Sequence, residues 1–247
     1  MPPNTIICDW NGTVIEYRDE RPILKSIAVD VFRASIPFCP SRLAGILKAK
    51  RELEALYREG HRGTEFDFVR EMFRIYNGRI INGVPVSLIH RSVHKYANRQ
   101  QTQDKLEHRV LRPIKECHGA GKTTGIFSAG YKYGIEMILT VAGHNKYFDF
   151  CEADHLREDG GRAIEFGLNI YKRKPRLLLQ LLRDRNMDAS RVAYLGDSED
   201  DEGCFEIVGY PVLAFLAPEE LKERCARKYK AFVPKDEKDL ASYLNHA

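Results

Sequence analysis

Short apolar runs that end in polar residues recur along the chain. The first, Thr5–Cys8, stops at Asp9, and Asn11-Gly12 follows as a turn. A run of this kind is typical of a buried strand in a parallel sheet. Similar runs predict strands at 124–127, 191–195 and 211–215, with a candidate fifth at 231–233. Helical periodicity marks the segments between them, at 131–142, 175–186, 218–228 and 236–245. Strands alternating with helices predict an α/β fold with a parallel sheet.

The segment between residues 20 and 100 has a different pattern. Its apolar residues recur at helical spacing, which predicts about four helices and no strand, around 23–31, 43–56, 66–73 and 88–96. We interpret this block as a helical lid or cap inserted into the α/β chain. Near 155–171 the pattern instead predicts a β-hairpin that turns at Gly160-Gly161.

Composition excludes several classes of protein. The 247 residues are 43% hydrophobic and 30% charged, as in globular proteins, and no apolar run reaches the 18 residues of a membrane span. A net charge of +4 does not favour nucleic acid as a partner. The six cysteines form no C-x-x-C pair, so they suit reduced thiols better than disulfides or zinc. With no secretory signal pattern at the start of the sequence, we expect a cytoplasmic protein.

Polar side chains follow three of the predicted strands. Asp9, Ser128 and Asp197 stand at strand ends, and ligands of open parallel sheets bind at that edge. Asp200 and Asp201 lie just beyond Asp197. Crowded carboxylates would repel one another unless a hard cation such as Mg²⁺ lay among them. Lys174, at the start of a predicted helix, and Ser128 suit an anionic group such as phosphate.

Four segments together resemble the haloacid dehalogenase (HAD) superfamily, whose members mostly hydrolyse phosphate esters. Asp9–Val14 matches the family's Asp-x-Asp-Gly-Thr motif except at Asn11, and Ser128 matches the Ser or Thr that closes a strand. Lys174, followed by proline, matches the third motif, and Gly196–Asp201 matches the fourth, Gly-Asp-Ser-x-x-Asp. One motif alone would be weak, but all four occur in the family's order with room for the intervening elements.

The resemblance implies a fold and a division of the chain. It implies a doubly wound, Rossmann-like parallel sheet as the core, formed by residues 1–15 and 105–247, with residues 16–104 as an inserted all-helical cap. The helical block matches the family's cap only in position and character.

The resemblance also implies a reaction and a set of roles. Asp9 would attack phosphorus and form an aspartyl-phosphate, which water then hydrolyses. Mg²⁺ would be held by Asp9, the backbone carbonyl of Asn11 and Asp197, with Asp201 or Asp200 acting through water. The phosphate oxygens would be bound by Lys174, Ser128 and neighbouring backbone such as Ala129, while Thr13 would hydrogen-bond around the aspartate loop. The expected partner is a small phosphorylated metabolite, with no nucleic acid and no membrane.

Asn11 departs from the family's pattern. The aspartate usually found there protonates the leaving oxygen, which an amide cannot do. Three outcomes are open: the leaving group needs no proton, Glu16 or Asp19 substitutes as the acid, or turnover is slow.

Two other functions compete with a phosphatase. A carbon–halogen hydrolase would use the same Asp9 without a metal, but its motif has Tyr at the position of Asn11 and lacks the acidic cluster at Asp197–Asp201. A non-catalytic phosphate-ligand binder is favoured by Asn11 and opposed by the retention of Asp9, Lys174 and Asp197. Gly119–Thr123 is no P-loop, because Glu116 stands where that motif needs glycine. Sugar phosphates, phosphoglycolate-like acids and nucleoside monophosphates all remain open as substrates.

Overall fold

The centre of the protein is a five-stranded, fully parallel sheet. The structure is a computed structural model that describes residues 2–36, 39–59 and 65–246. The sheet consists of β1 (Thr5–Cys8), β2 (Thr123–Tyr131), β3 (Phe150–Asp154), β6 (Val192–Gly196) and β7 (Tyr210–Leu213). Their spatial order is β3-β2-β1-β6-β7. The order reverses at β1, where ligands of doubly wound folds bind.

Helices cover both faces of the sheet. In the central strand β1, Ile6 and Cys8 pack into one apolar cluster while Ile7 packs into the other, because successive side chains of a strand point to opposite faces. The helices of the sheet region are α6 (His108–Gly119), α7 (Lys132–Val141), α8 (Lys174–Asp184), α9 (Glu202–Phe205), α10 (Glu219–Tyr229) and α11 (Glu237–His246). The predicted doubly wound α/β core is confirmed.

Two details of the predicted sheet were wrong. The fifth strand is β3, which we did not predict, and it lies at the edge beside β2. The candidate strand at 231–233 is only an isolated bridge between Val212 and Phe232. The predicted strand at 124–127 continues through Ser128 to Tyr131, with an irregular register between those two residues.

Helices dominate the segment that we interpret as a cap. They are α1 (Arg21–Ser35), α2 (Pro40–Glu59), α3 (Glu65–Tyr76), which runs on as a π-helical turn to Ile81, α4 (Val86–Ala97) and the short α5 (Gln100–Gln103). The predicted hairpin consists of β4 (Leu156–Asp159) and β5 (Arg162–Phe166). It hydrogen-bonds to the helical segment, since Ala163 donates to the Val84 carbonyl at 2.8 Å and accepts from the Gly83 amide at 2.8 Å. Within the described residues, no helix has both the length and the apolar character needed to cross a membrane.

Candidate active site

The strand ends bring four of the predicted site residues together. Asp9 follows β1 and Asp197 follows β6, which pair in parallel register, so their carboxylates meet at one edge of the sheet. Lys174 begins α8, and its Nζ lies 3.0 Å from Asp9 Oδ1 and 2.6 Å from Asp201 Oδ1. All four side chains are buried. One ammonium group therefore faces three carboxylates.

Asp201 is held by five hydrogen bonds. Its Oδ1 accepts from Lys174 Nζ and from the Tyr194 hydroxyl, at 2.6 and 2.8 Å. Its Oδ2 accepts from the backbone amides of Asp197 and Ser198, both at 3.1 Å, and from Ser198 Oγ at 2.9 Å. These donors occupy both oxygens, which suits a residue that holds Lys174 and the Asp197 loop in position.

Asp9 and Asp197 have raised pKa values, because they are buried where carboxylates are crowded and too little positive charge lies near them. Burial, followed by the neighbouring Asp201 and Asp9, raises the pKa of Asp197 to about 8. Burial also raises the pKa of Asp9 to about 6, against the lowering effect of Lys174. A divalent cation would remove this strain, since carboxylate oxygens are ligands that Mg²⁺ prefers.

The geometry of the carboxylates fits such a cation. Asp9, Asp197 and Asp201 each offer an oxygen, and these three oxygens lie within 4.8 Å of one another. Gly12, at φ +69°, lets the loop after β1 approach Asp197 closely, because a Cβ at this position would lie 2.0 Å from Asp197 Oδ2. The described residues thus form a compact oxygen-rich site at the switch point of the sheet. Asp200 lies to one side, where its Oδ1 accepts from the Lys172 amide.

Ser128 stands next to Asp9 at the irregular end of β2. Its side chain is buried and contacts the Asp9 carboxylate, and its Oγ accepts from the Gly130 amide at 3.1 Å. Ala129 lines the adjoining cavity. Thr13 is fully buried, and its hydroxyl has no hydrogen-bond partner among the described residues. Its backbone amide donates to the Trp10 carbonyl at 3.3 Å, within the loop that follows Asp9.

The carboxyl group that contacts Asn11 is neither of the two that we named as possible substitutes for the missing acid. Glu16 pairs with Lys105 at 2.7 Å and Asp19 pairs with Arg21 at 2.5 Å, both near solvent. Instead, Asn11 Nδ2 donates to Glu20 Oε1 at 3.0 Å. Burial raises the pKa of Glu20 to about 7.

Glu20 and Tyr194 were missed in the sequence for different reasons. Glu20 precedes α1 and resembles any acidic residue at a helix start. Tyr194 lies inside the apolar run of β6, where an aromatic side chain is most simply explained by core packing. A role for its hydroxyl is visible only in the fold, where the hydroxyl donates to Asp201, which also accepts from Lys174.

Comparisons with known proteins agree with this architecture. No protein-family model and no curated protein matches the chain. Among solved structures, a substrate-bound phosphoserine phosphatase complex is similar at a TM-score of 0.62 and 15% identity, covering 99% of this chain and 100% of that one. Cytosolic 5′-nucleotidase IIIB bound to cytidine is similar at a TM-score of 0.63 and 16% identity, covering 98% and 85%.

A third similar structure carries the family's name. A HAD family hydrolase from Salmonella enterica serovar Typhi has a TM-score of 0.56 at 17% identity, covering 91% of this chain and 66% of that one. The chain therefore has the fold that these three structures share, which is the fold that the resemblance implied.

Proposed function

We propose that the protein is a Mg²⁺-dependent phosphatase that hydrolyses a small phosphorylated metabolite through an aspartyl-phosphate on Asp9. The observation that carries this proposal is the buried contact of Lys174 with both Asp9 and Asp201, beside Asp197. A carboxylate held against an ammonium group in a water-poor site can serve as a nucleophile toward phosphorus while the cation neutralises the incoming anion. The six cysteines are all free thiols, which supports a cytoplasmic location.

Each residue of the site has a part in the proposed reaction. An oxygen of Asp9 bonds to phosphorus as the ester P–O bond breaks, and water then displaces phosphate from Asp9. Lys174 and Ser128 bind the equatorial phosphate oxygens, with the backbone at Ala129. Mg²⁺ would be held by Asp9, Asp197 and the Asn11 carbonyl. Asp201 would contact it through water. When bound, Mg²⁺ supplies charge that offsets the repulsion between phosphate and carboxylates.

Asn11 restricts which leaving groups can depart rapidly. The departing oxygen must acquire a proton or be stable as an anion, and the amide of Asn11 can provide no proton. General acid catalysis is worth roughly 10²–10⁴-fold. We therefore expect acyl phosphates, whose leaving group is a carboxylate, to be turned over faster than alkyl phosphates.

A binder that does not turn its ligand over is the second candidate, and Asn11 is the observation in its favour. The dehalogenase alternative is disfavoured by the three buried carboxylates, which no metal-independent reaction at Asp9 requires.

The test compares Asp9→Asn with the wild-type protein. We expect the substitution to abolish phosphate release from acetyl phosphate in the presence of Mg²⁺ and to abolish the mass increase of one phosphoryl group in acid-quenched protein. Asp184→Asn, at the exposed far end of α8, is the matched control and should retain both signals. Binding of phosphate without release in the wild type would favour the second candidate, and chloride release from a haloacid would favour the dehalogenase.

A further inference from the structure

The loop that leads into α8 determines the position from which Lys174 reaches Asp9. Residues 167–173 connect the hairpin strand β5 to α8 through turns and bends. Lys174 is the first residue of α8, and within the described residues the side chain of the N-cap residue, Arg173, makes no capping hydrogen bond. The helix dipole also disfavours a cation at a helix N-terminus. The position of the Lys174 ammonium group therefore depends on the backbone of this loop and on the carboxylates that it contacts.

Two aspartates outside the loop accept hydrogen bonds from its backbone. Asp154, the last residue of β3, is buried. Its Oδ1 accepts from the Asn169 amide at 2.7 Å and its Oδ2 from the Ile170 amide at 3.3 Å. Asp200 Oδ1 accepts from the Lys172 amide at 3.1 Å. Hydrogen bonds to an ionised acceptor are roughly twice as strong as bonds between neutral groups, so both aspartates suit the task of holding this backbone.

Lys172 has a backbone conformation that needs such support. Its φ is +59°, in the left-handed region that residues with a Cβ avoid. A residue stays in this region only where the surrounding contacts determine its conformation. The bond from its amide to Asp200 is one such contact, and the Arg173 amide closes the turn by donating to the Ile170 carbonyl at 2.9 Å. Asp200 therefore stabilises the turn that directly precedes α8.

Asp200 and Asp201 hold two parts of the same segment. They are consecutive residues of the short helical turn that follows β6. Asp200 accepts from the backbone at Lys172, while Asp201 Oδ1 accepts from Lys174 Nζ at 2.6 Å. One short stretch of chain thus fixes both the backbone that leads to Lys174 and its ammonium group. A shift of the loop would pull this ammonium group away from Asp9, which lies 3.0 Å from it.

We propose that Asp154 and Asp200 are positioning residues, which hold the loop 167–173 so that the Lys174 ammonium group lies against Asp9. The proposal rests on the proposed phosphatase function and adds two residues to it. Both aspartates act through backbone amides, so neither needs to contact phosphate or Mg²⁺. A misplacement of about 1 Å at a reacting centre can lower the rate by roughly 10²-fold. Loss of either carboxylate should therefore lower kcat.

Alanine and asparagine variants separate this role from one that depends on charge. The experiment measures kcat for phosphate release from acetyl phosphate, together with the Mg²⁺ concentration that gives half the maximal rate. Asp200→Ala should lower kcat by roughly 10- to 100-fold. Asp200→Asn should recover kcat to within about threefold of the wild type, at an unchanged Mg²⁺ requirement, because an amide oxygen can still accept the one bond from Lys172. Asp154→Asn should recover less, because Asp154 accepts with both oxygens and an amide accepts with one.

The left-handed turn provides a second test. Glycine adopts a positive φ without a steric cost, so Asp200→Ala should lower kcat less in a Lys172→Gly background than in the wild type. Lys230→Gly is the matched control background, because Lys230 is also left-handed, at a φ of +57°, but follows α10. Asp200→Ala should keep its full effect there. Equal losses in the two glycine backgrounds would mean that Asp200 does not act through the turn.

Asp188→Ala controls for the loss of an aspartate that accepts from a backbone amide. Asp188 accepts from the Ser190 amide at 3.0 Å in the turn before β6, at the opposite edge of the sheet from Asp197. This variant should keep the wild-type kcat at a temperature where circular dichroism shows every variant to be folded. A loss as large as that of Asp200→Ala would overturn the proposal. Unchanged kcat in both alanine variants of Asp154 and Asp200 would overturn it too, as would an Asp200→Asn that is as slow as Asp200→Ala or needs more Mg²⁺.

Binding of inorganic phosphate separates this proposal from the proposed function. If the wild type binds phosphate in calorimetry but releases none from acetyl phosphate, the phosphatase function fails. The positioning of Lys174 is then tested by the Kd of phosphate, which should rise by roughly tenfold or more in Asp200→Ala, as expected for the loss of a charged hydrogen bond. An unchanged Kd would overturn the proposal. If the wild type neither binds phosphate nor releases it, both proposals fail.

Discussion

At the scale of single residues, both the sequence and the structure show that Asn11 lacks a carboxyl group that could protonate the leaving oxygen. Its backbone can still contribute a carbonyl oxygen to the metal site, but its side chain is an amide that donates to Glu20. The contact is informative, because it shows what a carboxyl group at this position would meet. Two carboxyl groups at hydrogen-bond distance share a proton, since both cannot ionise freely.

Asn11→Asp should therefore create a proton donor where the family usually has one. We expect kcat for an alkyl phosphate to rise by roughly tenfold or more, within the range known for general acid catalysis. Acetyl phosphate should change little, because its leaving group needs no proton.

The control for this prediction is Asn11→Ser, which removes the amide without adding a carboxyl group. If the aspartate variant is no faster than the serine variant on an alkyl phosphate, our account of the missing acid is wrong.

Tyr194 offers a second prediction at this scale. Its hydroxyl is fully buried and is one of the two donors to Asp201 Oδ1, the other being Lys174. Tyr194→Phe should let Asp201 and Lys174 shift together and lower kcat by roughly tenfold, the loss expected for a hydrogen bond to a charged group, with little change in KM.

Tyr229→Phe is the comparison, because its hydroxyl also donates to a carboxylate, that of Glu202, in the partly buried Arg224 network. A loss of stability with unchanged kcat in Tyr194→Phe would show that this tyrosine has a packing role only.

At the scale of elements, the sequence predicts where the central strands end better than it predicts the edge strand of the sheet. Asp9, Asp197 and Ser128 could be placed together because parallel strands that neighbour one another end at one edge of a sheet. The strand β3 was not predicted because Glu152 interrupts its apolar pattern, as the partial exposure of an edge strand allows. Periodicity along the chain carries no signal for such strands.

The remaining gaps arise from long-range packing. Glu20 reaches Asn11 only because α1 packs against the sheet region, and Tyr131 joins them from the irregular end of β2. No local sequence pattern predicts that these three residues lie together. The hairpin itself was predicted from its glycine turn, but its pairing with Gly83 and Val84, about 80 residues earlier, could not be read from the sequence.

The loop after β1 gives a prediction that separates backbone strain from crowding. Gly12→Ala places a Cβ 2.0 Å from Asp197 Oδ2 and forces a non-glycine residue to a φ of +69°. Gly160→Ala carries similar strain at a φ of +54° but has nothing within 4 Å of the new Cβ. Both variants should lose about 1 kcal/mol of stability from the backbone.

Only Gly12→Ala should also weaken Mg²⁺ binding, because Asp197 must move. The Mg²⁺ concentration that gives half-maximal phosphate release should rise by roughly tenfold or more. The measurement is a Mg²⁺ titration of each variant alongside thermal unfolding. Parallel behaviour of the two alanine variants in the titration would mean that the close approach of Gly12 to Asp197 has no bearing on metal binding.

At the scale of the whole molecule, one apolar cluster joins the helical segment to the sheet. Ile27 of α1 and Ile89 of α4 belong to the same cluster as Ile6 of β1 and Ile135 of α7. The two parts that we proposed as cap and core thus share a continuous core. Such packing stabilises the protein by roughly 25 cal/mol for each Å² of apolar surface buried. This stabilisation allows the site to contain a group of carboxylates that oppose folding.

That opposition leads to a prediction for the stability of the metal-free protein. Asp9 and Asp197 have native pKa values of about 6 and about 8, both raised from 3.8 mainly by burial. The native state therefore binds more protons than the unfolded state above pH 4, and stability must fall as pH rises through these values. Each unit of raised pKa corresponds to about 1.4 kcal/mol, so the loss should reach several kcal/mol. Burial raises the pKa of Asp201, but Lys174 lowers it further, to below its usual value of 3.8. Asp201 therefore makes stability rise with pH, but only at pH values below about 4.

Urea unfolding in EDTA between about pH 5 and about pH 8 should show this decline, and Mg²⁺ should reverse it increasingly toward the alkaline end, because binding needs the ionised carboxylates. Asp197→Asn removes the group with the largest raised value, so its metal-free stability should decline less over the same range and gain little from Mg²⁺. Asp9 and Glu20, whose pKa values burial raises to about 6 and about 7, remain in that variant and account for a residual slope. A metal-free stability that rises toward pH 8, or a Mg²⁺ benefit that is largest near pH 5, would show that the buried carboxylates are not strained in the way that their burial and spacing require.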